Sequence, residues 1–162
     1  LNPKNSHLYY VRGLAKLEFE DYTCAIEDFT KAIELNPNYE EAYFDRGIVK
    51  YILQYGSNGI DDFTKVIEFN PQNERAYQNR GASYIENAQY NLAITDLKKV
   101  IELKPSDFTA YRNLAIAYTS NKDYDDNSCG NSTYCHQGLP AAGKEMAHRN
   151  LKLKPPCLGN YR

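Results

Sequence analysis

Four prolines, Pro3, Pro37, Pro71 and Pro105, stand 34 positions apart, and the chain repeats itself around them. The same interval separates Tyr9, Tyr43, Tyr77 and Tyr111, and again Gly13, Gly47, Gly81 and Ala115. A second series in each unit runs Ala25, Phe29, Ala32, then Gly59, Phe63, Val66, then Ala93, Leu97, Val100. Steps of three and four residues mark one face of a helix and are incompatible with strand alternation. Each unit therefore reads as two amphipathic helices of about 14 residues. The closing proline ends the second helix, because its ring has no N–H and it drives the preceding residue, Asn36, Asn70 or Lys104, out of helical geometry. One such pair cannot bury its apolar side alone, so neighbouring pairs must stack along a shared core, giving an all-α chain.

This pattern closely resembles the tetratricopeptide repeat family, whose 34-residue helix-turn-helix unit carries small residues at its eighth and twentieth positions and a proline near its end. Counted from Ser6, the eighth residue is Gly13, the twentieth Ala25, the twenty-fourth Phe29, the twenty-seventh Ala32 and the thirty-second Pro37, and units beginning at Glu40 and Glu74 agree. The resemblance covers residues 6 to 124. It implies a right-handed superhelix, an α-solenoid, of tandem helix-turn-helix repeats over 6–39, 40–73, 74–107 and 108–155, with no catalytic site of its own. One place departs from the pattern. The stretch YILQYGSNG around Gly56 lacks the turn tyrosine and sets Gly59 at the small position, so the second helix of that unit is expected to start late, near Ser57.

The fourth unit keeps Tyr111, Ala115, Tyr118 and Tyr124, but Pro155 follows Pro105 by 50 positions. The surplus falls in DDNSCGNSTYCHQG, residues 125–138, a polar stretch expected to form an inserted loop. After it, LPAAGKEMAHRNLKLKP is expected to form a capping helix at about 140–154, with Pro140 tolerated in its first turn and Pro155 ending it. The opening LNPK copies the LNPN that closes the first pair, which suggests a longer parent array.

In the family, the first helix of each pair lines the concave face and holds peptide segments of other proteins. Carried onto this chain, that implies a groove formed by Tyr10, Val11, Leu14 and Leu17, then Phe44, Asp45, Ile48 and Tyr51. Arg75, Gln78, Asn79 and Ala82 continue it, followed by Arg112, Asn113 and Ile116. Its surface grades from aromatic and aliphatic to amide and guanidinium, and apolar surface of that extent marks a binding site. Asn79 and Asn113 can offer a donor and an acceptor to a peptide backbone, while Arg75 and Arg112 can pair with a carboxylate. The expected partner is a protein or an extended peptide with an acidic part. The lysine, asparagine and arginine clamp by which some members hold a chaperone tail is mostly absent, with Phe44, Ile48 and Thr109 at three of its positions and only Asn79 matching. A further series, Arg12, Arg46 and Arg80 with Asp28, Asp62 and Asp96, vanishes together in the fourth unit. It reads either as paired rungs within or between units, or as solvated charges.

Charge and motif content exclude several other functions. Nineteen basic against twenty-one acidic residues leave a formal charge of −2, without the footprint of a nucleic-acid binder. No run approaches the roughly 18 apolar residues of a membrane span. The chain has no P-loop, nucleophile elbow or dinucleotide fingerprint, and His7, His136 and His148 are scattered, so neither an enzyme nor a cofactor is expected. Cys129 and Cys135, beside His136, lack the spacing of common zinc folds, and no metal is expected. A Cys129 to Cys135 disulfide would staple the loop in an oxidising compartment; otherwise a cytoplasmic setting is favoured. Asn131 lies in an NST glycosylation sequon, meaningful only in a eukaryotic secretory pathway. Two alternatives stand beside the scaffold reading. One is a self-assembling structural module; the other is a redox- or metal-responsive element built on the cysteine loop.

Overall fold

The computed structural model describes residues 5–55 and 57–121. Among them are seven helices and no strand: α1 (Ser6–Glu18), α2 (Tyr22–Leu35), α3 (Glu40–Ile52), α4 (Ile60–Phe69), α5 (Glu74–Glu86), α6 (Tyr90–Leu103) and α7 (Phe108–Ser120). Each packs on the next, and α5 also touches α3 and α7, so the chain is an all-α helical-repeat solenoid. Helix starts follow from capping chemistry. The side chains of Asn5, Asp21, Asn73 and Asp107 accept backbone N–H groups that the first turns of α1, α2, α5 and α7 leave open. Helix ends follow the prolines: Asn36, Asn70 and Lys104 all leave helical geometry, with ψ of 92°, 91° and 83°. The proposed loop at 125–138 and the capping helix lie outside the described residues.

The small and bulky series are two halves of one contact. An added Cβ at Gly13 would sit 2.7 Å from the Phe29 ring, and one at Gly47 would sit 2.8 Å from the Phe63 ring. Phe29, Phe63 and Leu97 are fully buried on these glycine notches, with Ala25, Ala93 and Val49 around them.

The second unit starts its second helix later than the sequence suggests. α4 begins at Ile60, not near Ser57, because Asn58 (φ 52°) and Gly59 (φ 79°) are both left-handed, a conformation a right-handed helix cannot contain. Gly59 is obligatory there, since a Cβ would meet the Gly47 carbonyl oxygen at 2.3 Å. The buried turn is tied to α5 instead: Asn58 Nδ2 donates to Asn87 Oδ1 at 3.0 Å, and Ser83 Oγ donates to the Asn58 carbonyl at 2.7 Å.

The arginine and aspartate series meets inside each unit. Arg46 Nε and Nη2 donate to the two oxygens of Asp62 at 3.1 and 2.6 Å, and Arg80 grips Asp96 in the same fork at 2.7 and 2.8 Å. Arg12 does so with Asp28. All three aspartates are buried, so these are shielded pairs and not solvated charges. The remaining nitrogen, Nη1, of Arg46 and of Arg80 reaches Thr30 and Thr64 of the preceding unit, each at 3.0 Å. Each inner rung thereby joins two units as well as two helices. The guanidinium groups also lie over the rings of Tyr9, Tyr43 and Tyr77. Lys16 and Lys50 bring a second cation to Asp28 and Asp62. The Arg12 side chain is 43% exposed, against 14% for Arg46. In the fourth unit buried Leu114 stands in place of the arginine, and in the third unit Lys98, over the Tyr118 ring, stands in place of the threonine.

Replacing Asp62 by Ala strands Arg46 and Lys50 without their carboxylate, and the loss expected in urea unfolding is about 3–5 kcal/mol. Glu68→Ala, which breaks the exposed Lys65–Glu68 pair, is expected to change stability by less than about 1 kcal/mol. Gly47→Ala, pressing on a ring that has nowhere to go, is expected to cost about 1–3 kcal/mol in the same assay.

Candidate functional site

The residues expected to face a partner stand at matching positions of α1, α3, α5 and α7, and side-chain contacts run across all four helices. Tyr10 Oη on α1 donates to Asp45 Oδ2 on α3 at 2.8 Å. The Arg75 guanidinium on α5 lies 4.7 Å from the centre of the Phe44 ring on α3. Gln78 Nε2 donates to Oδ1 of Asp107, the N-cap of α7, at 3.5 Å.

These side chains are rooted in the core and reach outward from it. Phe44 meets buried Phe63 edge-on at 5.9 Å, and Tyr10 lies 5.8 Å from Phe29 and 4.9 Å from Tyr39. Leu14 and Leu17 pack on Ala25, Phe29 and Val49. Ile48, Tyr51, Gln78, Asn79, Ala82, Arg112, Asn113 and Ile116 are all half-buried, whereas Val11 and Arg75 are exposed. Two donors expected to await a peptide are already engaged: Asn79 Nδ2 donates to the Arg75 carbonyl one turn back at 2.9 Å, and Arg75 rests on Phe44. Sequence reasoning also missed that His7 Nδ1 lies 2.9 Å from Tyr39 Oη.

Between α1, α3 and the start of α5 opens a cavity of about 290 Å³. Tyr10 and Phe44 give it aromatic walls, Glu40, Glu41 and Asp45 an acidic side, and Asn73 and Arg75 close it. Asn73 Nδ2 donates to Glu40 Oε1 at 3.2 Å. Burial pushes the Asp45 carboxyl above its ordinary value, opposed by the Tyr10 hydrogen bond and the Arg75 charge. Burial, then the bond and charge of Asp45, hold the Tyr10 hydroxyl far above its ordinary range, so at neutral pH it stays a donor. Tyr51 is likewise raised by burial and by the charge of Glu86, which brings a carboxylate near this part of the face.

Cys129 and Cys135 lie outside the described residues, while Cys24 in α2 is a half-buried free thiol. Among the described residues no group of His, Cys, Asp and Glu could hold a metal ion, and no helix is long and apolar enough to cross a membrane.

A family model described as TPR repeat matches residues 13–53 and 83–122, and one described as tetratricopeptide repeat matches residues 63–95. None of the curated proteins compared matches the chain. Among solved structures, the chain is similar to the first TPR of Spaghetti (RPAP3) bound to the HSP90 peptide SRMEEVD. That likeness has a TM-score of 0.69 and 20% identity, and covers 75% of this chain and 97% of that one. It is also similar to MamA from Desulfovibrio magneticus RS-1, with a TM-score of 0.71 and 20% identity, over 93% of this chain and 79% of that one. YrrB, described as a TPR protein with an unusual peptide-binding site, gives a TM-score of 0.62 and 27% identity, over 67% and 56% of the two chains.

Tyr10→Phe removes the hydroxyl that satisfies Asp45. Because that bond favours the ionised carboxylate, stability at pH 7 is expected to fall by about 1–2 kcal/mol. Unfolded Asp45 is the same in both proteins, so the deficit should shrink as pH falls toward the raised folded value of Asp45 and be gone below it, a trend checked by unfolding curves between pH 3 and 8.

Proposed function

The chain belongs to the tetratricopeptide repeat family, and from that premise we propose that it is a protein-interaction scaffold whose first helices hold an extended peptide segment of a partner protein. The observation that carries this reading is the run of half-buried Tyr10, Phe44, Ile48 and Tyr51 along α1 and α3, opening into a cavity and rigidly backed by Phe29 and Phe63. Rigid aromatic anchors, backed by the core and open on one side, suit an extended ligand, because little ordering entropy is lost when it docks. Two of the similar solved structures are described with a peptide or a peptide-binding site, which supports the same use here. An acidic part of the segment would lie toward α7, at half-buried Arg112 and Asn113. Exposed Val11 (46%) on α1 and Phe19 (85%), the residue that caps its C-terminus, favour self-association as a second reading, separable by light scattering at several concentrations.

The test is selection of a phage-displayed library of random twelve-residue peptides on the folded chain. Enriched peptides are expected to bind Phe44→Ala, Asn79→Ala and Arg112→Ala about tenfold or more weakly, with Glu68→Ala unchanged and circular dichroism confirming the fold of each variant. Peptides that bind all three groove variants as well as the parent chain would remove the groove from the proposal.

A further inference from the structure

We propose that the cavity between α1, α3 and α5 is a subsite for a cationic side chain, lysine or arginine, of the bound segment, its stem on the Phe44 and Tyr10 rings and its charge at Asp45. This deepens the groove reading and rests on it.

Charge complementarity selects the occupant. Three carboxylates, Glu40, Glu41 and Asp45, line the space against one guanidinium, Arg75, so a ligand carboxylate entering it would meet mostly like charge. Arg75 itself shows what the aromatic wall accepts. This exposed cation is free to extend into water yet lies 4.7 Å over the Phe44 ring. Asp45 receives the Tyr10 hydroxyl on Oδ2, and a carboxylate has several acceptor sites, so capacity remains for a charged donor. Burial works against the Asp45 charge, the Tyr10 bond and the Arg75 charge oppose it only in part, and a second cation seated beside it would offset the remainder, while Glu40 is held by Asn73 at the rim. At about 290 Å³ the space lies at the lower end of ligand-pocket sizes, fit for one long side chain. With Arg112 further along the face, a segment carrying a basic residue at α3 and an acidic one toward α7 would have a fixed direction.

The test titrates the 15N-labelled chain with four single-residue probes, the Nα-acetyl methylamides of lysine, arginine, norleucine and glutamate, and follows the amide signals of Tyr10, Phe44 and Asp45. The lysine and arginine probes are expected to bind about tenfold more tightly than norleucine. Asp45→Asn, which keeps an acceptor for the Tyr10 hydroxyl and so preserves the fold, should erase that difference. Equal binding of norleucine, tighter binding of glutamate, or a lysine preference that survives Asp45→Asn would overturn the subsite. If library peptides still depend on Phe44 while no cation preference appears, the subsite alone fails; if neither dependence appears, the groove reading fails with it.

Discussion

A carboxylate sealed between helices dictates how this chain can be stacked. Asp28, Asp62 and Asp96 are nearly inaccessible, and an unpaired charge at such depth costs several kcal/mol, so no arrangement of the helices that withdraws the arginine fork is competitive. Dispersion between Phe63 and Gly47 tolerates small slides of one helix along another. A two-pronged guanidinium on a two-oxygen acceptor does not, because both N–H···O directions are set by planar groups. The third nitrogen carries this constraint from Arg46 to Thr30 and from Arg80 to Thr64, into the preceding pair. Apolar burial provides the bulk of the stabilisation, and the polar rungs decide the register in which it is collected.

The same short segment links that scaffold to the candidate face. Four consecutive residues of α3, Tyr43, Phe44, Asp45 and Arg46, divide between two sides of one helix. Tyr43 and Arg46 belong to the rung, and Phe44 and Asp45 line the cavity. The rung anchors the helix in rotation, so the positions of the Phe44 ring and the Asp45 carboxyl are set by contacts on its opposite side. A binding face supported in this way loses little freedom on engaging a ligand.

How far the sequence was legible depended on whether a contact respected the period. The helix pairs recur at the 34-residue interval and could be read directly; the glycine, phenylalanine, arginine and aspartate series were visible at the same interval, but that glycine meets ring and fork meets carboxylate came from the structure. Thr30 and Thr64 recur as well, and their loss at Lys98 coincides with the loss of the arginine at Leu114. That covariation within one chain was the available signal for the inter-unit bond, and it went unread. Tyr10 with Asp45 and Phe44 with Arg75 break the period, since Val11, Gln78 and Asn79 stand at neighbouring equivalents, so only coordinates reveal them. The start of α4 was misjudged because two successive left-handed residues, Asn58 and Gly59, depend on space shared with Gly47 and on bonds to α5, neither of which is local.

The change from threonine to lysine at position 98, matched by leucine at 114, has a bearing on how such an array can grow. A copy of the second unit inserted before the third would find Thr64 ahead of its own Arg46 counterpart, so the arginine rung would continue across the new junction. The same copy placed after the third unit would present its arginine to Lys98, cation against cation. The threonine-bearing junctions can therefore receive a further arginine and the Lys98 junction cannot, so as far as the rung is concerned the units are not interchangeable in order.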